Sequence, residues 1–262
     1  MEATSLFQQA GAATGLAPAV GQTWKRGPEA PVLWPNEVHV WRARLDAPWS
    51  WTLDEALSLE DRERAARYKF ESDRRRFCLA RASLRLILGR YLKVKPVTLA
   101  IEQAEYGKPF LANTRLAQGL RFNLSHSHQL ALIAVARDRE LGIDIEYMRP
   151  DFVTEDIANH FFSPAEVADF LAVPGDLKTR SFFNCWTRKE AYIKARGEGM
   201  YCPLDQFDVS VTPGAAPMLL GNRLDTRELA RWNFRDLAAD AGYAATVAVE
   251  GECSRLVLWD FV

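Results

Sequence analysis

Asp144 and Glu146 alternate with Ile143 and Ile145 in the stretch Gly142-Ile-Asp-Ile-Glu146. On a strand, alternate residues share a face, so the two isoleucines pack inward and the two carboxylates project together. Neighbouring carboxylates repel, which suits either a solvated outer face or the surroundings of a cation. A third acid stands in Trp186-Thr-Arg-Lys-Glu-Ala-Tyr-Ile-Lys194. Spacing of four puts Trp186, Glu190 and Lys194 on one helical stripe. As an exposed ion pair, Glu190 and Lys194 would contribute about 0.3–0.5 kcal/mol. That reading leaves Trp186 unexplained, and a large aromatic sheltered beside charge points to the wall of a cleft. Taken together, Asp144, Glu146 and Glu190 offer hard oxygen donors from two rigid elements. Magnesium suits such a set, because it takes few carboxylates and completes its octahedron with waters and substrate phosphates. No His/Cys cluster competes for a transition metal.

A second group of residues could handle an anion. Phe122-Asn-Leu-Ser-His-Ser-His128 reads as a short apolar strand running into hydroxyls and imidazoles, either donors for a phosphate or a plain polar turn. A Ser–His–Asp hydrolase lacks its G-x-S-x-G elbow here. Arg62, Arg64, Arg67, Lys69, Arg74, Arg75, Arg76, Arg81 and Arg85 make the first half locally basic, interleaved with Glu60, Asp61, Glu63, Glu71 and Asp73. Most belong on a solvated helix face, and a few could clamp phosphate through the guanidinium fork. Tyr106-Gly-Lys-Pro109 is a tight turn that presents Lys108.

The elements that must carry these groups follow from periodicity. Glu37–Leu45 alternates as a strand; Leu53 to about Arg67 and Ser72 to about Tyr91 read as helices, the second lining one face with Phe77, Ala80, Leu84 and Leu88. Strands are expected at 97–102, 121–124, 129–136 and 141–146, with Arg137–Glu140 turning a hairpin between the last two. Helices follow at 154–160, 164–171 and 178–196. Ser163-Pro-Ala-Glu166 is a helix start with cap, proline and capping-box acid in place. Strands at 207–211, 231–235, 243–249 and 255–261 complete the chain. Ala131–Ala136 and Ala244–Val249 resemble each other, and both halves run helix-rich before strand-rich. The expected organisation is an extension over 1–35, a first α/β half over 36–149 and a second over 150–262.

The 262 residues, 48% apolar, suffice for one large or two small cores. With 33 basic and 34 acidic residues the net charge is −1, which gives no argument for nucleic acid or an anionic membrane. The basic helix also lacks an aromatic stacking platform. Four cysteines without metal or disulfide spacing, no signal peptide and no apolar run of membrane length lead to the expectation of a reduced, cytoplasmic protein.

Five ordered blocks resemble the Sfp-type 4′-phosphopantetheinyl transferase family: Glu105-Tyr-Gly-Lys-Pro109, Phe122-Asn-Leu-Ser-His-Ser127, Leu141-Gly-Ile-Asp-Ile-Glu146, Phe161-Phe-Ser163 with Glu166, and Trp186–Lys194 with Gly197 and Gly199. They cover about residues 105 to 199. The resemblance implies an α+β fold of two similar α/β halves about a pseudo-two-fold axis, antiparallel sheets packed with helices, and coenzyme A with Mg2+ (Mn2+ as the substitute ion) in the cleft between. It implies transfer of phosphopantetheine from coenzyme A to a serine of an apo acyl or peptidyl carrier protein, releasing 3′,5′-ADP, by a monomer. Residue by residue, it makes Asp144, Glu146 and Glu190 the metal-site carboxylates. Arg64, Arg76, Lys108, Ser125, His126 and Lys194 become coenzyme A contacts, joined by Asp144 and Glu190. Glu190, Lys194 and Asp144 would carry the catalysis. Two positions depart from the family pattern: Glu198 stands where a basic residue is frequent, and His128 where glycine is common. Two rivals remain, a coenzyme A-binding module without turnover and a protein-interaction scaffold using the basic half.

Overall fold

The computed structural model describes residues 22–262, so the greater part of the expected N-terminal extension lies outside the described residues. In chain order the elements are β1 (Lys25–Arg26), β2 (Glu37–Arg44), α1 (Trp51–Ala56), α2 (Leu59–Ala65), α3 (Glu71–Leu92), β3 (Ile101–Gln103), β4 (Pro109–Leu111), α4 (Thr114–Ala117), β5 (Leu120–Ser127), β6 (Leu130–Arg137), β7 (Leu141–Tyr147), α5 (Glu155–Phe161), α6 (Pro164–Ala172), α7 (Lys178–Arg196), β8 (Phe207–Val209), β9 (Leu219–Asn222), α8 (Glu228–Arg231), β10 (Trp232–Asp236), β11 (Tyr243–Glu250) and β12 (Arg255–Asp260). The architecture is α+β, with antiparallel and mixed sheets packed by helices.

Two compact units form. One takes Thr23–Glu140 together with Cys253–Val262, and the other takes Leu141–Glu252. The expected break after residue 149 therefore falls at 140/141. The last strand also returns to the first unit, because β12 pairs in parallel with β2 from Arg255↔Glu37 to Asp260↔Arg42.

In the first unit a mixed sheet of order β1-β12-β2-β6-β5 carries α3. Leu79, Ala80, Leu84, Ile87 and Leu88 recur at helical spacing and bury against Trp41, Phe122, Ile133 and Val135. Each such side chain stabilises the fold by roughly 1.5–3 kcal/mol. The segment before β2 lies along the sheet edge, with β1 opposite Trp259 and Asp260. Three expectations change here. The helix from Leu53 splits into α1 and α2, because Ser58 and Asp61 form a capping box that starts a new helix. The strand expected from Val97 begins only at Ile101, after a 3₁₀ turn opened by Pro96. β5 runs through Ser127, so Ser125 and His126 lie within a ladder opposite Leu132 and Ala131 rather than beyond a strand end.

In the second unit β7 pairs with β11 (Asp144↔Thr246, Glu146↔Ala244), and β11 pairs with β10. The hairpin expected at Arg137–Glu140 does not form, since β6 pairs with β2 and β5 and β7 belongs to the other sheet. The polar link joins units instead of strands. α7 crosses this sheet at Gly142, where a Cβ would stand 2.2 Å from both the Ala191 carbonyl oxygen and the Ala195 amide nitrogen. Only glycine lets the helix backbone come this close. The alanine-rich strands β6 and β11 each hold a central place in their own sheets and are buried almost throughout.

Candidate functional site

The second unit gathers the acid–lysine cluster on β7 and α7. β7 is buried on both faces: Ile143 and Ile145 are fully covered, yet Asp144 is only 1% exposed and Glu146 7%. The solvated-face alternative for these acids is therefore excluded. Burying a carboxylate is costly unless charge or hydrogen bonds compensate it. For Asp144 the compensation is visible, since Lys194 Nζ donates a hydrogen bond of 2.5 Å to Oδ1. The Lys194 side chain is 30% exposed, against 2% for its partner. Burial opposes the ammonium, but the surrounding carboxylates of Asp144, Glu190 and Glu146 outweigh it and hold the Lys194 pKa above the ordinary lysine value.

Glu190 is the least compensated member. Burial raises its pKa to about 7, the neighbouring Asp144 carboxylate pushes the same way, and Lys194 only partly offsets them. Its Oε1 is buried with no hydrogen-bond partner. Among the described residues, no three His, Cys, Asp or Glu side chains gather closely enough to hold a metal ion. The Lys194 ammonium takes the counter-ion position beside Asp144. The donor set itself is all hard oxygen, and the orphaned Glu190 oxygen lacks a partner. On both counts these residues fit a small divalent cation rather than a thiophilic metal.

The rest of the Trp186–Lys194 stretch builds the fold. Trp186 packs in the core against Phe161 and Phe182, ring centroids 5.2 and 6.1 Å away, and does not wall a cleft. Phe162 is buried in the same cluster. Lys189 is fully buried; its Nζ donates to the Leu204 and Phe207 carbonyls and pairs with Glu166 Oε2, all at 2.7 Å. Glu166 in turn caps α6 through the Ser163 amide and also accepts the Val209 amide. Arg188 is fully buried and donates to Asp236 and to the Ser210 carbonyl. Asp236 also accepts a hydrogen bond from the Thr246 hydroxyl on β11, which in turn contacts Thr187 on α7. Adjacent residues of one helix thus differ in kind: Arg188 and Lys189 anchor it to its surroundings, whereas Lys194 pairs with Asp144 on β7. Glu198, the departure noted after Gly197, pairs with Arg196.

The basic and hydroxyl candidates belong to the first unit and sit on several elements. Ser125 is buried on β5 and His126 half-buried beside it. Lys108, at the β3–β4 turn, donates to Glu140 at 2.7 Å, and Arg121 approaches the other oxygen of Glu140 at 3.3 Å. Arg76, on α3, stands 3.5 Å from Asp73. Arg64, on α2, packs its guanidinium 5.5 Å from the centre of the Phe77 ring. Arg85 is structural: with Arg81 it encloses Asp61 and donates to the Pro96 and Leu99 carbonyls. Sequence periodicity does not single out Arg188, Lys189 or Arg85 as anchors, although each is a charge at a position whose neighbours in the pattern are apolar.

Comparison with known proteins shows the family. Residues 140–248 match the family model of the 4′-phosphopantetheinyl transferase superfamily, and residues 40–138 match that of the 4′-phosphopantetheinyl transferase N-terminal region. The chain is 40% identical to the 4′-phosphopantetheinyl transferase HetI of Nostoc sp. over 231 residues, covering 87% of this chain and 94% of the relative. It is 34% identical to 4′-phosphopantetheinyl transferase Sfp of Bacillus subtilis over 58% of this chain and 66% of that protein. It is 30% identical to a phosphopantetheinyl transferase of Thraustochytrium over 86% of this chain and 84% of that protein. The chain belongs to the 4′-phosphopantetheinyl transferase superfamily and is an enzyme that transfers the phosphopantetheine arm of coenzyme A to carrier proteins.

Proposed function

We propose that the transfer runs on the Asp144–Glu190–Lys194 cluster, with a carrier-protein serine attacking the β-phosphate of coenzyme A and 3′,5′-ADP leaving. The observation that carries this is Glu190, a half-buried side chain whose Oε1 is buried without a partner and whose pKa is raised to about 7, beside a lysine paired to Asp144. A base of that pKa exchanges protons efficiently near neutrality, so Glu190 takes the serine proton. Lys194 keeps its charge and stabilises the negative charge that develops on the departing phosphate. Asp144 fixes Lys194 in place and holds its ammonium protonated. Glu146, buried two residues along β7, adds to the negative field around Lys194. Asp144, Glu146 and Glu190 would hold a divalent magnesium ion, or manganese in its stead. Such an ion supplies charge neutralisation of the pyrophosphate oxygens. In the same proposal Arg64, Arg76, Lys108, Ser125 and His126 bind coenzyme A through its anionic groups.

The carrier would be an acyl or peptidyl type, acidic around its serine, and the enzyme a cytoplasmic monomer without nucleic-acid or membrane partners. Four free cysteines suit a reducing compartment, and no described helix is long and apolar enough to cross a membrane. The test is the mass of an apo carrier after incubation with coenzyme A and magnesium. A gain of one phosphopantetheine, lost with chelator and in Glu190→Gln, supports the reading; no gain on a panel of fatty-acid, polyketide and peptide carriers rejects it.

A further inference from the structure

A pair of buried threonines joins α7 to its sheet in the second unit. β10, β11 and β7 set Asp236, Thr246 and Asp144 directly opposite one another. Opposed residues of antiparallel strands share a face, and α7 meets every member of this row. Asp236 takes the Arg188 guanidinium, Asp144 takes Lys194, and the Thr246 and Thr187 hydroxyls stand 3.1 Å apart. Thr246 therefore lies between two carboxylates, each with its own cation from the helix.

The hydroxyl contact has a direction. A carboxylate only accepts, so the Thr246 hydroxyl, 3.0 Å from Asp236 Oδ1, donates to it. Its oxygen then accepts from Thr187, whose proton is shared with the Phe183 carbonyl at 2.9 Å. Spacing of four places Thr187, Ala191 and Ala195 on one stripe of α7. The helix backbone at Ala191 and Ala195 rests on Gly142, and Thr187 meets Thr246. The two alanines set how close the helix lies and offer no directional side-chain bond. Arg188 and Lys189 fasten α7 through long, pliant side chains, whereas a threonine hydroxyl sits on Cβ and its χ1 is restricted.

Glu190 and Lys194 each precede an alanine of that stripe and so stand about 100° round the axis. Any rotation of α7 swings both of them. A turn of roughly 10° carries a group at about 5–6 Å from the axis through about 1 Å, and misplacement of that size can cost ~10²-fold in rate. We propose that Thr246 is a positioning residue for the transfer: through Thr187 it fixes the rotation of α7, and with it the aim of Glu190 and Lys194 at the reacting groups. This rests on the reading that Glu190 and Lys194 act in the reaction.

The test is kcat and KM for coenzyme A with an apo carrier and saturating magnesium, measured beside the melting temperature. Thr246→Val comes close in shape and removes the hydroxyl, so kcat falls roughly tenfold while KM stays within about twofold of wild type. Asp236 keeps Arg188 in this variant, and melting falls by under about 5 °C. Thr246→Ser restores the hydroxyl and brings kcat back to within about twofold of wild type. Thr187→Val, from the other side of the contact, gives the same loss, and the double variant loses no more than either alone. A pair that only supports the fold would lower melting and leave kcat per folded molecule unchanged, which overturns the proposal. Losses that add in the double variant, or a serine variant as slow as the valine one, overturn it too. Glu190→Gln separates the two levels: if it abolishes transfer while Thr246→Val turns over as wild type, this assignment falls and the site stands; if Glu190→Gln transfers normally, both fall.

Discussion

Glu190→Gln should abolish transfer while stabilising the metal-free protein, by an amount that grows as pH rises from about 4.5 and is complete above about 7. The native carboxyl has its pKa raised from 4.5 to about 7 by burial, with Asp144 adding to the effect. An acid whose folded pKa is raised holds its proton longer in the native than in the unfolded chain. Stability therefore falls as pH rises from 4.5 to about 7, and the full penalty is present above that window. At about 1.4 kcal/mol per pH unit the ceiling is about 3 kcal/mol. Side-chain relaxation and water entry leave about half of it, or 1–2 kcal/mol. Glutamine keeps the shape and removes the charge, so that amount is recovered at about pH 8 and almost nothing at about pH 4. For a unit the size of Leu141–Glu252 the gain corresponds to roughly 5 °C in melting temperature. The assay is thermal unfolding across the pH range, with and without magnesium. Magnesium in excess should stabilise wild type more than the variant and close the gap, because the ionised carboxylate is what it needs. A variant no more stable than wild type at about pH 8, or equally stabilised at about pH 4, would refute the argument that Glu190 is strained by its own charge.

Gly142→Ala forces a methyl into the α7 backbone and should destabilise by about 3 kcal/mol or more by denaturant titration, with transfer activity falling further because β7 and α7 carry the site. Lys189→Met leaves Glu166 buried beside an apolar chain and should cost about 3–5 kcal/mol by the same measurement; a loss under about 1 kcal/mol would show that the pair is not structural. In the first unit, His39 is buried between Tyr91 and Glu37, and burial lowers its pKa from 6.5 despite Glu37. A depressed histidine contributes stability present above about pH 6.5 and lost as pH falls, so His39→Gln should flatten the acid limb of the stability profile of this unit, measured by hydrogen exchange of its amides.

How much of this was legible in residues alone depends on the range of the interaction. Periodicity located α3, α7, β2, β6, β7 and β11 because each buries a regular stripe, and that signal is local. The capping box at Ser163 is equally plain, whereas the Ser58–Asp61 box lies inside one continuous periodic stretch and divides it into α1 and α2. Ladder partners were not local. The short link Arg137–Glu140 looks like a hairpin turn, but β7 pairs with β11, about a hundred residues on, and β12 crosses back to lie parallel to β2. Nothing in the composition of the link distinguishes a turn from a passage between units.

The site was legible for a different reason. A strand period of two and a helix spacing of four put Asp144 and Glu146, and Glu190 and Lys194, each on one face of two elements that pack together, with Lys194 meeting Asp144. Their burial was not readable. An alternating Ile-Asp-Ile-Glu pattern is that of a half-solvated strand, and only tertiary covering, with α7 packed on β7 at Gly142, makes the strand interior. That covering changes the chemistry: it sets Glu190 near neutrality, makes Lys194 the partner of Asp144, and leaves Oε1 of Glu190 without a donor. The same helix meets the cost with Lys189 and Arg188, whose buried ion pairs fasten it on its other sides. Replacing those anchors by apolar residues of similar volume on both partners could leave the fold intact. On the proposed mechanism, replacing Glu190 or Lys194 in the same way should preserve the fold and end transfer, which separates the two kinds of charge on α7.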